Sequence, residues 1–260
     1  MILQNMNPYQ AGASIIAVAL SLLWVISLLK RDASIIDSFW GFGFVLIALA
    51  GIISVGKPDE VAGVIAALVI LWGLRLSLHL FSRWWREGAE DYRYQNMRKH
   101  HGRHFWWRSL FTVFALQGVL MWLVAVPFMA AIGERGNVDY PLLTLAALIA
   151  ALLGIIIETI ADSQLKRFRR TAQKGEVLRK GLWAYTRHPN YFGDTLFWWG
   201  IWGAVVSISP HLWWTAFAPA LMNFLLVNIS GAALLERKLR KKEGYADYQE
   251  NTSRFIPKFW

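Results

Sequence analysis

Apolar residues gather in seven long runs separated by polar segments: 13–29, 35–55, 61–81, 105–132, 140–161, 191–208 and 212–235. The runs are continuous rather than alternating, which is the pattern of helices in apolar surroundings and not of barrel strands. An α-helix rises about 1.5 Å per residue, so about 20 residues cross roughly 30 Å of hydrocarbon. Most runs reach that length, and 191–208 lies near the lower limit. The pattern predicts an all-α integral membrane protein: one domain over 1–260, built as a bundle of seven transmembrane helices. The first run is read as a span rather than a signal peptide, because nothing basic precedes it and Lys30 and Arg31 follow it.

The cations orient this bundle. The segments after runs one, three, five and seven carry two, seven, eight and seven Lys or Arg residues, with Arg108 at the start of run four counted in the second of them. The opposite side has only Lys57 and Arg135, and Arg75 lies inside run three. Cationic loops stay cytoplasmic, so the N-terminus is predicted outside and the C-terminus in the cytoplasm.

Composition agrees. Hydrophobic residues make up 56% and charged residues 17%, against about 45–50% and about 25% in soluble domains. Disorder, a collagen-like fibre and a polar soluble domain are excluded. The net charge of +10 points to anionic membrane lipids as partners. The basic residues are dispersed among the spans with no recognition helix, so nucleic acid is not an expected partner. With no cysteine, disulfides, thiolate-bound zinc and thiol nucleophiles are excluded.

Seven ionisable residues fall within or at the ends of the apolar runs: Asp37, Arg75, His79, Glu158, Asp162, Asp194 and Glu236. Each costs on the order of 2.5–3.5 kcal/mol to insert. Any one of them near a helix end could snorkel to the headgroups. All seven sit toward the cytoplasmic half or end of their runs, and a shared polar cavity open to the cytoplasm explains them together. Glu158, Asp162, Lys166 and Arg169 are spaced to share one helical face, running from carboxylates to cations. That face is either a salt-bridge ladder or the wall of a site for a ligand with hydrogen-bond donors at one end and phosphates at the other. Arg75 and His79 also share a face. Arg75 needs an anionic partner, a carboxylate such as Asp37 or a ligand phosphate.

Two polar segments stand out. Glu90-Asp-Tyr-Arg-Tyr-Gln-Asn-Met-Arg98 mixes aromatics with cations, as an interfacial aromatic belt also would. In Thr186-Arg-His-Pro-Asn-Tyr-Phe-Gly-Asp194, Pro189 breaks one helix and Asn190 can cap the next. Arg187 and His188 then stand near a helix N-terminus, a natural place for phosphate. No P-loop, Rossmann glycine fingerprint or His-Glu-x-x-His pattern is present. Gly41-Phe-Gly43 reads as helix packing. The His100, His101 and His104 group sits in a basic loop, and no metal site is expected there.

Gly181-Leu-Trp-Ala-Tyr-Thr-Arg-His-Pro-Asn-Tyr-Phe-Gly-Asp194 resembles the steroid 5α-reductase family, and most closely its bacterial membrane homologues. Asp37-Ser-Phe-Trp-Gly41, Leu71-Trp-Gly-Leu-Arg-Leu76, Glu90-Asp-Tyr-Arg-Tyr94, Gly244-Tyr-Ala-Asp-Tyr248 and Phe255-Ile-Pro257 add to the likeness. It spans about 34–260 and is strongest from 150 onward. The Arg-His-Pro-Asn-Tyr element is shared with isoprenylcysteine methyltransferases and sterol reductases.

The resemblance implies a seven-helix bundle in a bacterial inner membrane that encloses NADPH, with the binding half at about 70–260. It implies reduction of a carbon–carbon double bond conjugated to a ketone, in a lipid-like substrate such as a 3-oxo-Δ4-steroid. Carried over by position, Asp162, Arg169, Asn190 and Asp194 match cofactor contacts; the full set of candidate cofactor-binding residues adds Arg75, Arg93, Tyr94, Glu158, Lys166, Tyr185, Arg187, His188, Tyr191 and Glu236. Arg75 and Arg93 are the phosphate contacts carried over by position. Asp37 falls near the family's substrate-side carboxylate. Glu158 stands where mammalian members carry Asn, and the family's catalytic Tyr falls at Trp72. The acid role therefore moves to Asp37, Tyr92 or Tyr94, with Trp40 assisting. A donor must face the carbonyl oxygen as hydride reaches the β-carbon, and a carboxyl in an apolar span is suited to that work.

An S-adenosylmethionine-dependent membrane methyltransferase is the alternative enzyme. It accounts equally for the Arg-His-Pro-Asn-Tyr turn and Glu236, and less well for the basic lining. A transporter would call for internal repeats and helices broken in mid-span, and the sequence predicts neither.

Overall fold

The computed structural model describes residues 3–134, 140–173, 175–229, 236, 239, 240 and 244–258. Arg135, Lys174, Arg237, Lys238, Lys241 and Lys242, together with the last part of the seventh apolar run (230–235), lie outside them. Among the described residues the regular structure is entirely helical. Among the described residues six helices are long and apolar enough to cross a membrane: Pro8–Lys30, Ile35–Val55, Glu60–Arg86, Tyr92–Gly133, Pro141–Thr171 and Pro210–Ile229. The protein is a multi-pass membrane protein by this measure. The sixth run forms a helix of 20 residues, but its Asp194 and Trp198, Trp199 and Trp202 keep it out of those six.

The chain divides into two compact units, Met1–Asp139 with Ile208–Leu212, and Tyr140–Ser207 with Trp213–Trp260. In the first, α1 (Pro8–Lys30) opens with a capping box. Asn7 Oδ1 accepts from Gln10 N at 2.9 Å, and Gln10 Oε1 accepts from Asn7 N at 3.2 Å. It ends at Arg31, whose φ of 53° is left-handed. Helix α2 (Ile35–Val55) and α3 (Glu60–Glu87) cross where Gly41 meets Gly73. A Cβ on either would collide with the other's carbonyl oxygen, so the two backbones can approach only because both residues are glycine.

Next come α4 (Tyr92–His101), α5 (Phe105–Ser109) and α6 (Leu116–Gly133), joined by a 3₁₀ turn and by a wide π turn at Leu110–Ala115. Indole N–H groups pin α1 in place: Trp24 donates to Trp106 O at 2.9 Å and Trp122 donates to Tyr9 O at 3.0 Å. Phe44, Ile47, Trp72, Phe114 and Phe128 form the centre of this unit.

The second unit is built on α7 (Pro141–Thr171) and α8 (Pro189–Ile208). Gly154, Gly193 and Gly200 let these two helices touch backbone to backbone; a Cβ on Gly193 would lie 2.7 Å from Glu158 N and from Gly154 O. A 31-residue helix is about 46 Å long, well beyond a hydrocarbon core of about 30 Å. The polar end of α7 therefore projects past its apolar part. Helix α9 (Phe217–Phe224) continues into a second π turn at Leu225–Ile229, and α10 (Tyr245–Asn251) is a short polar helix. The two π turns correct the expectation of uninterrupted helices. Such widenings leave carbonyls loosely held and recur at functional places.

Candidate functional site

Each unit carries a polar cluster of its own. In the first, Asp37 lies in the first turn of α2 and Tyr94 and Arg93 in the first turn of α4. The Tyr94 hydroxyl donates to Asp37 Oδ1 at 2.6 Å, and Arg93 donates to Asp37 Oδ2 at 2.5 Å. Gln117 Nε2 donates to the Tyr94 oxygen at 3.3 Å. Asp91 caps α4 and accepts from both Arg93 N and Arg93 Nε at 2.9 Å. Burial pushes the Asp91 carboxyl up, but these Arg93 hydrogen bonds prevail and hold it below the ordinary carboxylate range. Tyr94 is buried, so its hydroxyl is fixed, while Tyr92 is exposed.

The loop before α2 is latched so that Asp37 is presented in one place. Asp32 accepts from Ser34 N at 2.8 Å, from Ser34 Oγ at 2.5 Å and from Trp84 Nε1 at 2.7 Å. Glu90 accepts from Ala33 N at 2.8 Å and, through both of its oxygens, from Arg98. The Arg98 guanidinium lies over the Phe105 ring, 4.5 Å from its centroid. Trp72 is fully buried against Phe44, and Trp40 also packs on that ring. Trp72 is core, and no acid function falls to it.

In the second unit, Glu158, Asp162 and Asp194 are buried along the contact of α7 and α8. Asn190 Nδ2 donates to Asp162 Oδ1 at 3.2 Å, while Asn190 Oδ1 is buried without a partner. Lys166 and Arg169 are exposed on the same α7 stripe. The sequence expectation for the turn is corrected here. Pro189 is the first residue of α8 and Asn190 lies inside it, while the His188 carbonyl accepts from Phe192 N at 3.0 Å. His188, not Asn190, therefore stands at the cap position, and Pro189 opens the helix rather than ending one.

Arg187 is also committed. Its Nε donates to Glu236 Oε1 at 3.0 Å, and its Nη1 donates to Gln249 O at 2.7 Å and Thr252 O at 3.2 Å. His188 Nε2 shares the same Glu236 oxygen at 3.2 Å, and its ring stacks on Tyr191 with centroids 5.4 Å apart. Burial holds the His188 imidazole below its ordinary range, against the opposite pull of Glu236. Tyr245, buried beside Glu236, is pushed up to about 12, chiefly by burial. The tail closes over the turn: Arg187 N donates to Ser253 O, Lys258 N to Tyr185 O, Thr186 Oγ1 to Phe255 O and Tyr248 Oη to Trp183 O.

The expected site residues thus fall into two sets. Asp37, Arg93 and Tyr94 meet directly, and Arg93 is the counter-ion of Asp37, the place considered for Arg75, which is half-buried on α3. Glu158, Asp162, Asn190 and Asp194 gather at the α7–α8 contact, whereas Arg187, His188 and Glu236 form a closed ionic core with Arg254, 3.8 Å from Glu236. Tyr185 is exposed. Sequence reasoning missed Asp32, Glu90, Asp91, Arg98, Gln117 and Arg254. The density of charge in 90–98 was the available signal for three of them, Glu90, Asp91 and Arg98.

A multi-pass membrane protein, helical throughout its described residues, with buried carboxylates in the second unit and half-buried ones in the first, is the class these observations define. The chain belongs to the family described as protein of unknown function DUF1295, which matches residues 23–252. It is similar to the uncharacterized protein C594.04c of Schizosaccharomyces pombe, 25% identical over 284 aligned positions that cover 98% of this chain and 81% of that protein. No solved structure matches the chain.

Proposed function

We propose that this protein is a membrane-embedded, NADPH-dependent reductase of a carbon–carbon double bond conjugated to a ketone, with a 3-oxo-Δ4-steroid or similar lipid enone as substrate. The observation that carries the reading is the Tyr94–Asp37 hydrogen bond of 2.6 Å, braced by Arg93 and Gln117. A buried phenol on a carboxylate that is itself held by a guanidinium is a preorganised proton donor for an oxygen that becomes negative. The orphaned acceptor of Asn190 beside Asp162 fits the donor-rich amide and ribose groups of a nicotinamide nucleotide. The exposed Lys166 and Arg169 fit its phosphates.

NADPH, when bound, supplies the hydride that reaches the β-carbon of the enone. When substrate binds, the Tyr94 O–H turns from Asp37 to the carbonyl oxygen and gives it a proton as charge builds there. Asp37 orients the phenol, and Arg93 keeps that carboxylate in place. Gln117 donates to the phenol oxygen and steadies it once its proton has left. The proposed topology adds α8 as a seventh span, with the N-terminus outside a bacterial inner membrane and the C-terminus in the cytoplasm. That topology follows the cation distribution.

One observation favours the second reading, an S-adenosylmethionine-dependent methyltransferase. Arg187 is engaged by Glu236 and two carbonyls, so the turn offers fewer phosphate ligands, and S-adenosylmethionine has no phosphates to hold. Mass spectrometry of nucleotides extracted from detergent-purified protein, followed by titration with each cofactor, decides between them. Bound NADP(H) and enone-dependent NADPH oxidation are the expected result. Bound S-adenosylmethionine or its demethylated product would overturn the reductase reading.

A further inference from the structure

Beyond the acid pair, one more set of polar groups in the first unit lacks an explanation: the seam between α2 and α3. Ser34, which precedes α2, and Ser38 and Gly41 on it follow one another along one face, and on α3 so do Gly73, Ser77, Leu80 and Trp84. Ser77 Oγ lies at the glycine crossing, 3.0 Å from where a Cβ on Gly41 would stand. Both Ser77 Oγ and Ser38 Oγ are buried without a hydrogen-bond partner, and Ser38 as a whole is only 7% exposed. Buried hydroxyls are normally satisfied, by protein or by ordered water. One turn from Gly41, a cleft of about 20 Å³ opens, lined by Ser34 and Ser38, the acidic Asp37 and Asp91, the basic Arg83, and by Leu80 and Trp84. A water needs roughly 10–15 Å³ of such space and two to four polar partners, and this cleft supplies both.

We infer that the cleft holds an ordered water between the Asp37 carboxylate and Ser38 Oγ, and that this water is the inlet through which Tyr94 regains its proton after each turnover. The second half rests on the reductase reading. Asp37 is suited to the transfer because its Oδ1 accepts from the Tyr94 hydroxyl and the residue is also one of those lining the cleft.

The step balances in protons. The Tyr94 O–H bond breaks as its proton passes to the substrate oxygen. Asp37 then takes a proton from the cleft water and hands it to the phenolate. The hydroxide left in the cleft is neutralised by a solvent proton. No electrons move in this relay, and one proton per turnover enters from solvent.

Two variants test it. Leu80→Phe fills the cleft, and Ser38→Ala removes one of the water's partners. In detergent with NADPH and a 3-oxo-Δ4-steroid, the first turnover of each should run at the wild-type rate. Steady-state turnover should fall about tenfold, within the range a proton-transfer step contributes, with a larger solvent deuterium isotope effect than wild type. An unchanged steady-state rate in both variants overturns the inlet. An equal slowing of the first turnover also overturns it, because the variants would then be acting on the acid pair itself. A high-resolution structure without substrate reads the hydration independently. Density between Asp37 and Ser38 is expected in wild type and its loss in Leu80→Phe, and an empty wild-type cleft refutes the water. If wild type neither binds NADP(H) nor reduces an enone, the reductase reading fails and takes the proton role with it, while the density still decides whether the cleft is hydrated.

Discussion

In a Glu236→Leu variant the Arg187 guanidinium, 9% exposed, loses the carboxylate that accepts from its Nε at 3.0 Å. Removing one member of a buried ion pair costs about 3–5 kcal/mol, because the remaining charge stays desolvated. Arg187 keeps the carbonyls of Gln249 and Thr252, which places the expected loss at the lower end, about 3 kcal/mol. A domain of 150–250 residues shifts its melting temperature by roughly 2–4 °C per kcal/mol, so a fall of about 6–12 °C is expected. The assay is tryptophan fluorescence on heating, at one scan rate and in one detergent, since membrane proteins rarely unfold reversibly. A second variant, Glu236→Leu with Arg187→Met, removes the stranded charge and should regain part of the loss. It should not regain all of it, because the two carbonyls then lack their donor. A single-variant loss of less than about 1 kcal/mol, the value of an exposed pair, would refute the reasoning. The Glu236 cluster would then be wet rather than buried.

Three further outcomes follow from the same geometry. Burial holds His188 below its ordinary value of 6.5, so below that pH the unfolded chain binds more protons than the folded one. Stability should be full above about pH 6.5 and decline as pH falls beneath it; His188→Gln should flatten that decline, and an unchanged slope in the variant removes His188 as its cause. Tyr94→Phe and Asp37→Asn should each lower enone reduction by roughly 10²–10³-fold while nucleotide binding, followed by titration, stays within error; reduction at the wild-type rate by either would discard the acid pair. Gly193→Ala would put a methyl 2.7 Å from the backbone of α7 and should destabilise the second unit by about 1–3 kcal/mol, read as a lower melting temperature with the helical circular dichroism retained at low temperature.

The helices were legible because a span must be apolar over its whole length, and that requirement leaves continuous runs in the sequence. Their ends were less so. Helix α3 continues to Glu87 and α7 to Thr171, past the apolar runs, because Arg, Lys and Gln are good helix formers even where nothing is buried. Single site residues were also legible, since Asp37, Asp162 and Glu236 are conspicuous among apolar neighbours. Their pairings were not. Arg93 and Tyr94 meet Asp37 across 56 and 57 positions, and a guanidinium reads the same whether it awaits a phosphate or already holds a carboxylate. The Arg187 turn shows the deeper reason. Most of what binds it, the carbonyls of Gln249, Thr252 and Ser253, belongs to the backbone, which every residue carries alike. A search for the carboxylate each buried cation needs would have reached Glu236, and no residue pattern would have reached the tail that closes over it.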